Sequence, residues 1–198
     1  MKAYSIPGFV GKIELDVLAQ WASELPEKAV IVEIGSLWGR SAACFAEAAP
    51  NATIVCVDDW PGHMCPGNDV LKIDEKYRRE NCVPNPFSYP MNRKVFYRFT
   101  SEFSNITTFR SRSALELSRM FGTPSNAMWI DAAHENPSDW EYIELFIPLI
   151  KQGGWIGGHD YKTVDLYPDI RENANRLSKL WGNPIENPEG TTLWRVKR

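Results

Sequence analysis

Long apolar runs and an excess of positive charge are both missing from this sequence, and each absence excludes a class of protein. No stretch approaches the roughly 18 consecutive apolar residues that a membrane-spanning helix needs. The 22 Lys and Arg are outnumbered by 25 Asp and Glu, which leaves a net charge of −3, so a nucleic-acid partner is not expected. The first residues show no apolar segment with a cleavage signature. We therefore expect a cytoplasmic protein without a membrane partner.

Cysteine is also scarce, with four residues and no C-x-x-C pair. We expect Cys44 and Cys56 to be buried as small apolar side chains in a helix and a strand. Cys65 and Cys82 lie in an irregular segment, where we expect free thiols. A disulfide or a zinc site is the alternative there.

The segment 30–60 has the pattern of a strand, a glycine turn, a helix and a second strand that ends in acid. Its first five residues, VIVEI, are typical of a strand buried in a parallel sheet. Gly35 and Gly39 bracket a tight turn whose backbone can approach a ligand closely. We expect Ser36 or the following residues to cap the next helix.

The acidic end of the second strand is placed to hold a nucleoside. A carboxylate roughly 20 residues beyond such a turn lies at the tip of the neighbouring strand and accepts hydrogen bonds from both ribose hydroxyls. Asp58 has this position, while Asp59 and Trp60 are expected to hold the turn or contact an adenine. The turn lacks the G-x-G-x-x-G spacing that places a pyrophosphate on a helix. An NAD-dependent oxidoreductase is therefore the weaker alternative.

The turn, EIGSLWG at 33–39, resembles the first motif of the class I S-adenosylmethionine-dependent methyltransferases. The resemblance continues at 105–115 and 127–131, and at 146–161, FIPLIKQGGWIGGHDY, it points to the small metal-assisted O-methyltransferases of the macrolide-sugar and catechol types. It implies an α/β fold, with a Rossmann-like, mostly parallel seven-stranded sheet and helices on both faces. A closing antiparallel strand is expected at 190–196, and residues 1–198 are expected to form a single domain.

The resemblance also implies the cofactor, S-adenosylmethionine, and the residues that would hold it at the strand tips. These are Glu33, Gly35, Ser36, Gly39, Asp58, Asp59, the turn residues Arg112 and Ser113, and Asp131. The alternative for Glu33 is a structural role as the partner of a Lys or Arg in an ion pair, since an unpaired buried carboxylate is costly.

Polar side chains end the fourth and fifth predicted strands, which would be neighbours at the ligand edge of the sheet. Asp131, His159 and Asp160 offer two oxygens and an imidazole, a donor set that suits Mg²⁺ or Mn²⁺. We predict a metal centre there. The alternative is that Asp131 caps the next helix and Asp160 hydrogen-bonds a loop.

His134 follows Asp131 by three residues and is the candidate general base, with a pKa expected near 6.5. In the alternative, His134 only orders its loop. We assign catalytic roles to His134, Asp131 and His159. Ala132 and Ala133 depart from the Asp-Gly-Asp-His pattern common in the similar enzymes, which leaves open a binding or regulatory protein that has lost methyl transfer.

Residues 61–104 interrupt the regular alternation with many Pro, Gly and aromatic residues. We expect an insertion after the second strand that forms a lid or the acceptor pocket. Its aromatic side chains would line either that pocket or a homodimer interface: Tyr77, Phe87, Tyr89, Phe96, Tyr97 and Phe99. The predicted function is O-methylation of a small hydroxylated molecule, a sugar or a phenol.

Overall fold

A seven-stranded sheet forms the centre of the computed structural model, which describes residues 1–62, 89–132, 134, 136–163 and 165–198. The strands are β1 (Val30–Ile34), β2 (Thr53–Asp58), β3 (Ile106–Arg110), β4 (Ser125–Ile130), β5 (Ile150–Gly158), β6 (Ile185–Glu186) and β7 (Trp194–Lys197). Their order is β3-β2-β1-β4-β5-β7-β6. Strands β1 to β5 are parallel, whereas β7 is antiparallel to β5 and to β6. The predicted fold class is confirmed.

Helices cover both faces of this sheet. They are α1 (Lys12–Ser23), α2 (Arg40–Ala48), α3 (Arg93–Thr100), α4 (Ala114–Ser118), α5 (Ser138–Phe146) and α6 (Pro168–Trp181). Side chains of a strand alternate between its faces, so Ile31 packs into a core with α1, α2 and α3, and Val32 packs into a second core with α4, α5 and α6. Within the described part of the chain, no helix combines the length and the apolar character needed to cross a membrane.

The C-terminal strands differ from the prediction in their bounds. The closing strand begins at Trp194 rather than at residue 190, and a two-residue strand, β6, precedes it. The reason is that β7 pairs with β5 on one side and with β6 on the other, so the edge of the sheet is a short hairpin strand.

Residues 7–11, which we call the strap, run across the carboxyl edge of the sheet before α1 begins. Arg40, in the first turn of α2, is buried at 3 % exposure. Its guanidinium donates hydrogen bonds to carbonyls of the strap and of the residues before it. Its Nε donates to the carbonyl of Val10 at 2.8 Å, and its Nη1 donates to the carbonyls of Tyr4 and Ile6. The buried guanidinium therefore ties the N-terminal segment to α2 at three backbone carbonyls.

The change Arg40→Met should lower the free energy of unfolding by about 2 to 3 kcal/mol, because it leaves buried carbonyls without a donor. Urea denaturation gives this value directly. The matched control is Arg119→Met on the exposed end of the α4 region, which should change stability by less than about 0.5 kcal/mol. Equal effects of the two variants would contradict the role of Arg40.

Candidate active site

A cavity of about 700 Å³ opens at the carboxyl edge of the parallel strands, where the loops after β1, β2, β4 and β5 meet the strap. This volume is in the range of small-molecule sites. Of the predicted site residues, the cavity is lined by Gly35, Ser36, Asp58, Asp59, Arg112, Asp131, His134, His159 and Asp160. The structure thus brings most of the predicted site residues together around one space.

Gly35 ends β1 in a conformation that only glycine adopts easily, with φ +90°. A Cβ atom at this position would overlap the backbone carbonyl of Asp131, so β1 and the end of β4 approach each other too closely for any side chain. The cap of α2 is not Ser36 but one of the residues that follow it. The N-cap is Gly39, with φ +87° and no side-chain cap, while the Ser36 side chain is buried beside the cavity.

Asp58 fixes the glycine turn and still faces the cavity. Its Oδ2 accepts the Leu37 N–H at 2.8 Å, and its Oδ1 accepts the Trp60 N–H at 2.6 Å. The two backbone donors lower the pKa of the Asp58 carboxyl, but burial outweighs them and raises it above its usual value. Each carboxylate oxygen has a second lone pair, so the geometry leaves acceptors for ribose hydroxyls at the rim.

Three predicted cofactor contacts lie outside the cavity lining. Ser113 instead caps α4 by accepting the Glu116 N–H at 3.1 Å, and Gly39 is the N-cap of α2. Glu33 is fully buried and accepts a hydrogen bond from the Ser41 hydroxyl of α2. Among the described residues, Glu33 has no Lys or Arg partner in an ion pair. Burial raises the pKa of Glu33 to about 7.

This raised pKa makes stability depend on pH. The folded protein binds the Glu33 proton more tightly than the unfolded chain does, so stability is lost as the pH rises from about 4.5 to about 7. The variant Glu33→Gln carries no such proton. Its free energy of unfolding, relative to the wild type, should rise by up to about 3 kcal/mol across this window, as measured by urea denaturation at several pH values. A difference that is constant with pH would show that Glu33 ionises normally.

Carboxylates and imidazoles alternate in a continuous chain at the tips of β4 and β5. His134 Nε2 lies 3.0 Å from Asp131 Oδ1 and 3.1 Å from Asp160 Oδ2. His159 Nδ1 lies 3.1 Å from the same Asp160 oxygen. On its other side, His159 Nε2 lies 3.2 Å from Glu14 Oε2. We call the series Glu14, His159, Asp160, His134 and Asp131 the acid–imidazole chain.

The carboxylates change the protonation of both rings. Burial opposes the charged form of His134, but Asp131 and Asp160 outweigh burial and raise the pKa of His134 to about 10. Asp160, Glu14 and Asp131 likewise raise the pKa of His159 well above its usual value despite burial. The expected pKa near 6.5 for His134 is therefore wrong, because the sequence did not show that two carboxylates flank the ring.

Metal-ligand spacing occurs in this cluster, with one change from the predicted set. Among the described residues, ligand atoms of Asp131, His134 and Asp160 all lie within 4.8 Å of one another. The group contains His134 where the prediction had His159: the backbone of His134 has φ +62°, and its Nε2 contacts both aspartates. Both nitrogens of His159 already face carboxylates. Two carboxylates and one imidazole fit a hard or borderline divalent cation.

Sequence reasoning missed Glu14 and the strap. Glu14 stands three residues after Gly11 at the start of an apolar-periodic helix, and its carboxylate accepts the Gly11 N–H at 2.8 Å. That spacing is a helix-start signal and could have drawn attention to the residue. Its contact with His159 could not be found in this way, since the two are 145 positions apart.

Comparison with known proteins agrees with this architecture. The family model described as "Methyltransferase domain" matches residues 32–161, while no curated protein matches the sequence significantly. Among solved structures, cofactor-bound Rv0187 from MTB has a TM-score of 0.65 at 17% identity, covering 98% of this chain and 83% of that one.

Two further solved structures share the fold. CalS11, a TDP-rhamnose 3'-O-methyltransferase of calicheamicin biosynthesis, has a TM-score of 0.60 at 13% identity, covering 93% of this chain and 77% of its own. The SAH-bound methyltransferase PaMTH1 from Podospora anserina has a TM-score of 0.59 at 14% identity, covering 96% and 79%.

Proposed function

This chain belongs to the methyltransferase domain family, and we propose that it transfers a methyl group from S-adenosylmethionine to a hydroxyl oxygen of a small acceptor. One observation carries the proposal. The Asp131–His134–Asp160 cluster opens into the same cavity as the glycine turn and Asp58. A nucleoside-binding edge and a group of acid–base side chains therefore share one space, as methyl transfer requires.

The cofactor half of the cavity is formed by the tips of β1 and β2. Gly35 provides close access to the backbone, and the Asp58 carboxylate is held by two backbone N–H groups so that it can accept ribose hydroxyls. Asp59 and Arg112 line the same region. When bound, S-adenosylmethionine supplies an electrophilic methyl group on its sulfonium.

The acceptor half is more apolar and aromatic. Strap residue Phe9 lies near Trp38, with ring centroids 6.4 Å apart, and Met91 and Tyr167 line the same cavity. Pro61 and Met91 come from the predicted insertion 61–104, which supports its role in the acceptor pocket; residues 63–88, with Cys65 and Cys82, lie outside the described residues. We propose a phenol or a sugar hydroxyl as the acceptor class, and we keep a cytoplasmic location and a homodimer as predictions.

Asp131, His134 and Asp160 would act on the acceptor hydroxyl. Their spacing fits a Mg²⁺ or Mn²⁺ ion, which would lower the pKa of a bound hydroxyl. An imidazole binds a metal only through an unprotonated nitrogen, so His134 must lose the proton that the two aspartates stabilise. Metal binding should therefore weaken as the pH falls.

The test combines binding with transfer. Thermal shift assays with S-adenosylmethionine, S-adenosylhomocysteine and NAD should show stabilisation by the first two only; a ligand at 100 times its Kd adds about 2.7 kcal/mol. Mass spectrometry after incubation with S-adenosylmethionine and a panel of catechols and sugars should show an increase of one methyl group, suppressed by EDTA. Binding without transfer to any acceptor would favour the regulatory alternative.

A further inference from the structure

Glu14 is a carboxylate outside the cavity that contacts three parts of the cavity wall. It lies in the first turn of α1 at 3 % exposure. Its Oε1 accepts the backbone N–H of Thr192 at 3.0 Å and the hydroxyl of the same residue at 2.9 Å. Its Oε2 accepts the Gly11 N–H at 2.8 Å and contacts His159 Nε2 at 3.2 Å. A helix-capping glutamate needs only the first-turn contact, so capping does not explain the others.

The segments that Glu14 joins are distant in sequence but share the site. Thr192, which precedes β7, and His159, which follows β5, both line the cavity. Gly11 ends the strap, whose residues Phe9 and Val10 line the cavity as well. One buried carboxylate thus fixes the strap, the loop before β7 and the tip of β5 relative to one another.

The contact with His159 also sets the orientation of that ring. With Nε2 directed at Glu14, Nδ1 is directed at Asp160 Oδ2 at 3.1 Å. That oxygen is the one that contacts His134. Partners that orient the groups around a reactive site contribute strongly to its performance even when they do not touch the ligand.

We propose that Glu14 is a positioning residue for the methyl-transfer site: it acts through His159 on Asp160 and His134, and through Gly11 on the strap. This inference rests on the proposed function for its catalytic consequence, although its structural part can be tested without an acceptor.

The chemistry of the site requires a carboxylate at position 14. Both oxygens accept backbone N–H groups, from Gly11 and from Thr192. A glutamine has the same shape but only one accepting oxygen. In either orientation its NH₂ group would face one of these N–H donors. Glu14→Gln therefore removes the contacts with little change in volume.

The experiment compares Glu14→Gln with Glu47→Gln. Glu47 also accepts backbone N–H groups of the N-terminal segment, from Lys2 at 2.8 Å and Ala3 at 3.3 Å, but it does not line the cavity. Proton–nitrogen NMR of protein labelled with ¹⁵N-histidine, at pH 7, reports the rings of the three histidines. Methyl transfer to 3,4-dihydroxybenzoate and to a methyl glycoside is measured in parallel, and calorimetry gives the Kd of S-adenosylhomocysteine.

We expect Glu14→Gln to shift or abolish the Nε2 signal of His159 and to lower kcat at least 10-fold. The Kd of S-adenosylhomocysteine should change less than 3-fold, because β1 and β2 hold the cofactor. Glu47→Gln should match the wild type in all three measurements. If Glu14→Gln does not fold, Glu14→Asp serves instead, since its shorter carboxylate cannot reach His159 and Thr192 together, and a smaller change in the same direction is expected.

Unchanged His159 signals in the folded variant would overturn the proposal, as would an equal loss of kcat in Glu47→Gln. If the wild type methylates neither probe, the proposed function fails for these acceptors. The NMR comparison then still decides whether Glu14 orients His159.

Discussion

Gly35→Ala should abolish cofactor binding and lower the free energy of unfolding by about 4 kcal/mol. A Cβ at position 35 would overlap the Asp131 carbonyl and lie 2.9 Å from the Cα of Ala132. These are backbone atoms of the β4 end, so relief requires the strands to separate at the point where the cofactor edge meets the acid–imidazole chain. Urea denaturation and calorimetry with S-adenosylhomocysteine measure the two effects.

Gly62→Ala is the matched control for this prediction. Gly62 has the same φ, +90°, but among the residues that the structure describes no atom lies within 4 Å of the position where its Cβ would stand. It therefore carries the backbone strain of an alanine at positive φ without the overlap, and should cost only about 1 kcal/mol. Similar losses in both variants would show that backbone strain, not close approach, decides the effect at Gly35.

Asp160→Asn should lower methyl transfer by roughly 10² to 10⁴-fold, the range expected when a group that handles a proton is lost. Asparagine is the appropriate substitute because Asp160 has φ +61°, a conformation that asparagine tolerates better than alanine does. The change removes the charge that faces both His134 and His159. Binding of Mn²⁺ should be lost as well, since two of three ligand groups cannot hold the ion tightly.

Cofactor binding should survive this change, because Gly35 and Asp58 lie on other strands. Equal Kd values for S-adenosylhomocysteine in wild type and variant would show that the fold and the cofactor edge are intact. Asp165→Asn, in an exposed position five residues along the chain, serves as the control and should leave transfer unchanged. Wild-type transfer that persists in EDTA would contradict the metal centre while leaving the role of Asp160 in place.

The sequence predicted best those features that depend on local pattern. The apolar run of β1, the glycine turn and the acid that ends β2 all lie within 31 consecutive residues, 30–60. An apolar period that begins with a proline likewise predicts a helix over 168–181, and α6 has these bounds. Periodicity did not determine every facing residue. The same period places Leu180 on the inward side with Ile170, Ala174 and Leu177, but Leu180 is 58% exposed.

Features that depend on distant contacts were not predictable in the same way. The raised pKa of His134 depends on Asp160 as well as on Asp131, and the Nε2 atom of His159 contacts Glu14. Each side chain was visible in the sequence. Which of them meet was decided by the strand order and by the path of the strap, and no local spacing encodes either one.

The strap, residues 7–11, lies outside the segment that the family model matches, although it lines the same cavity. The segment matched by the family, 32–161, carries the glycine turn, Asp58 and the aspartates. Phe9, Tyr167 and Thr192, which line the same cavity, and Glu14, which contacts Thr192, lie before or after that segment. Under the proposed function, part of the cavity wall can therefore change, or be engineered, at the two ends of the chain without altering the glycine turn, Asp58 or the aspartates.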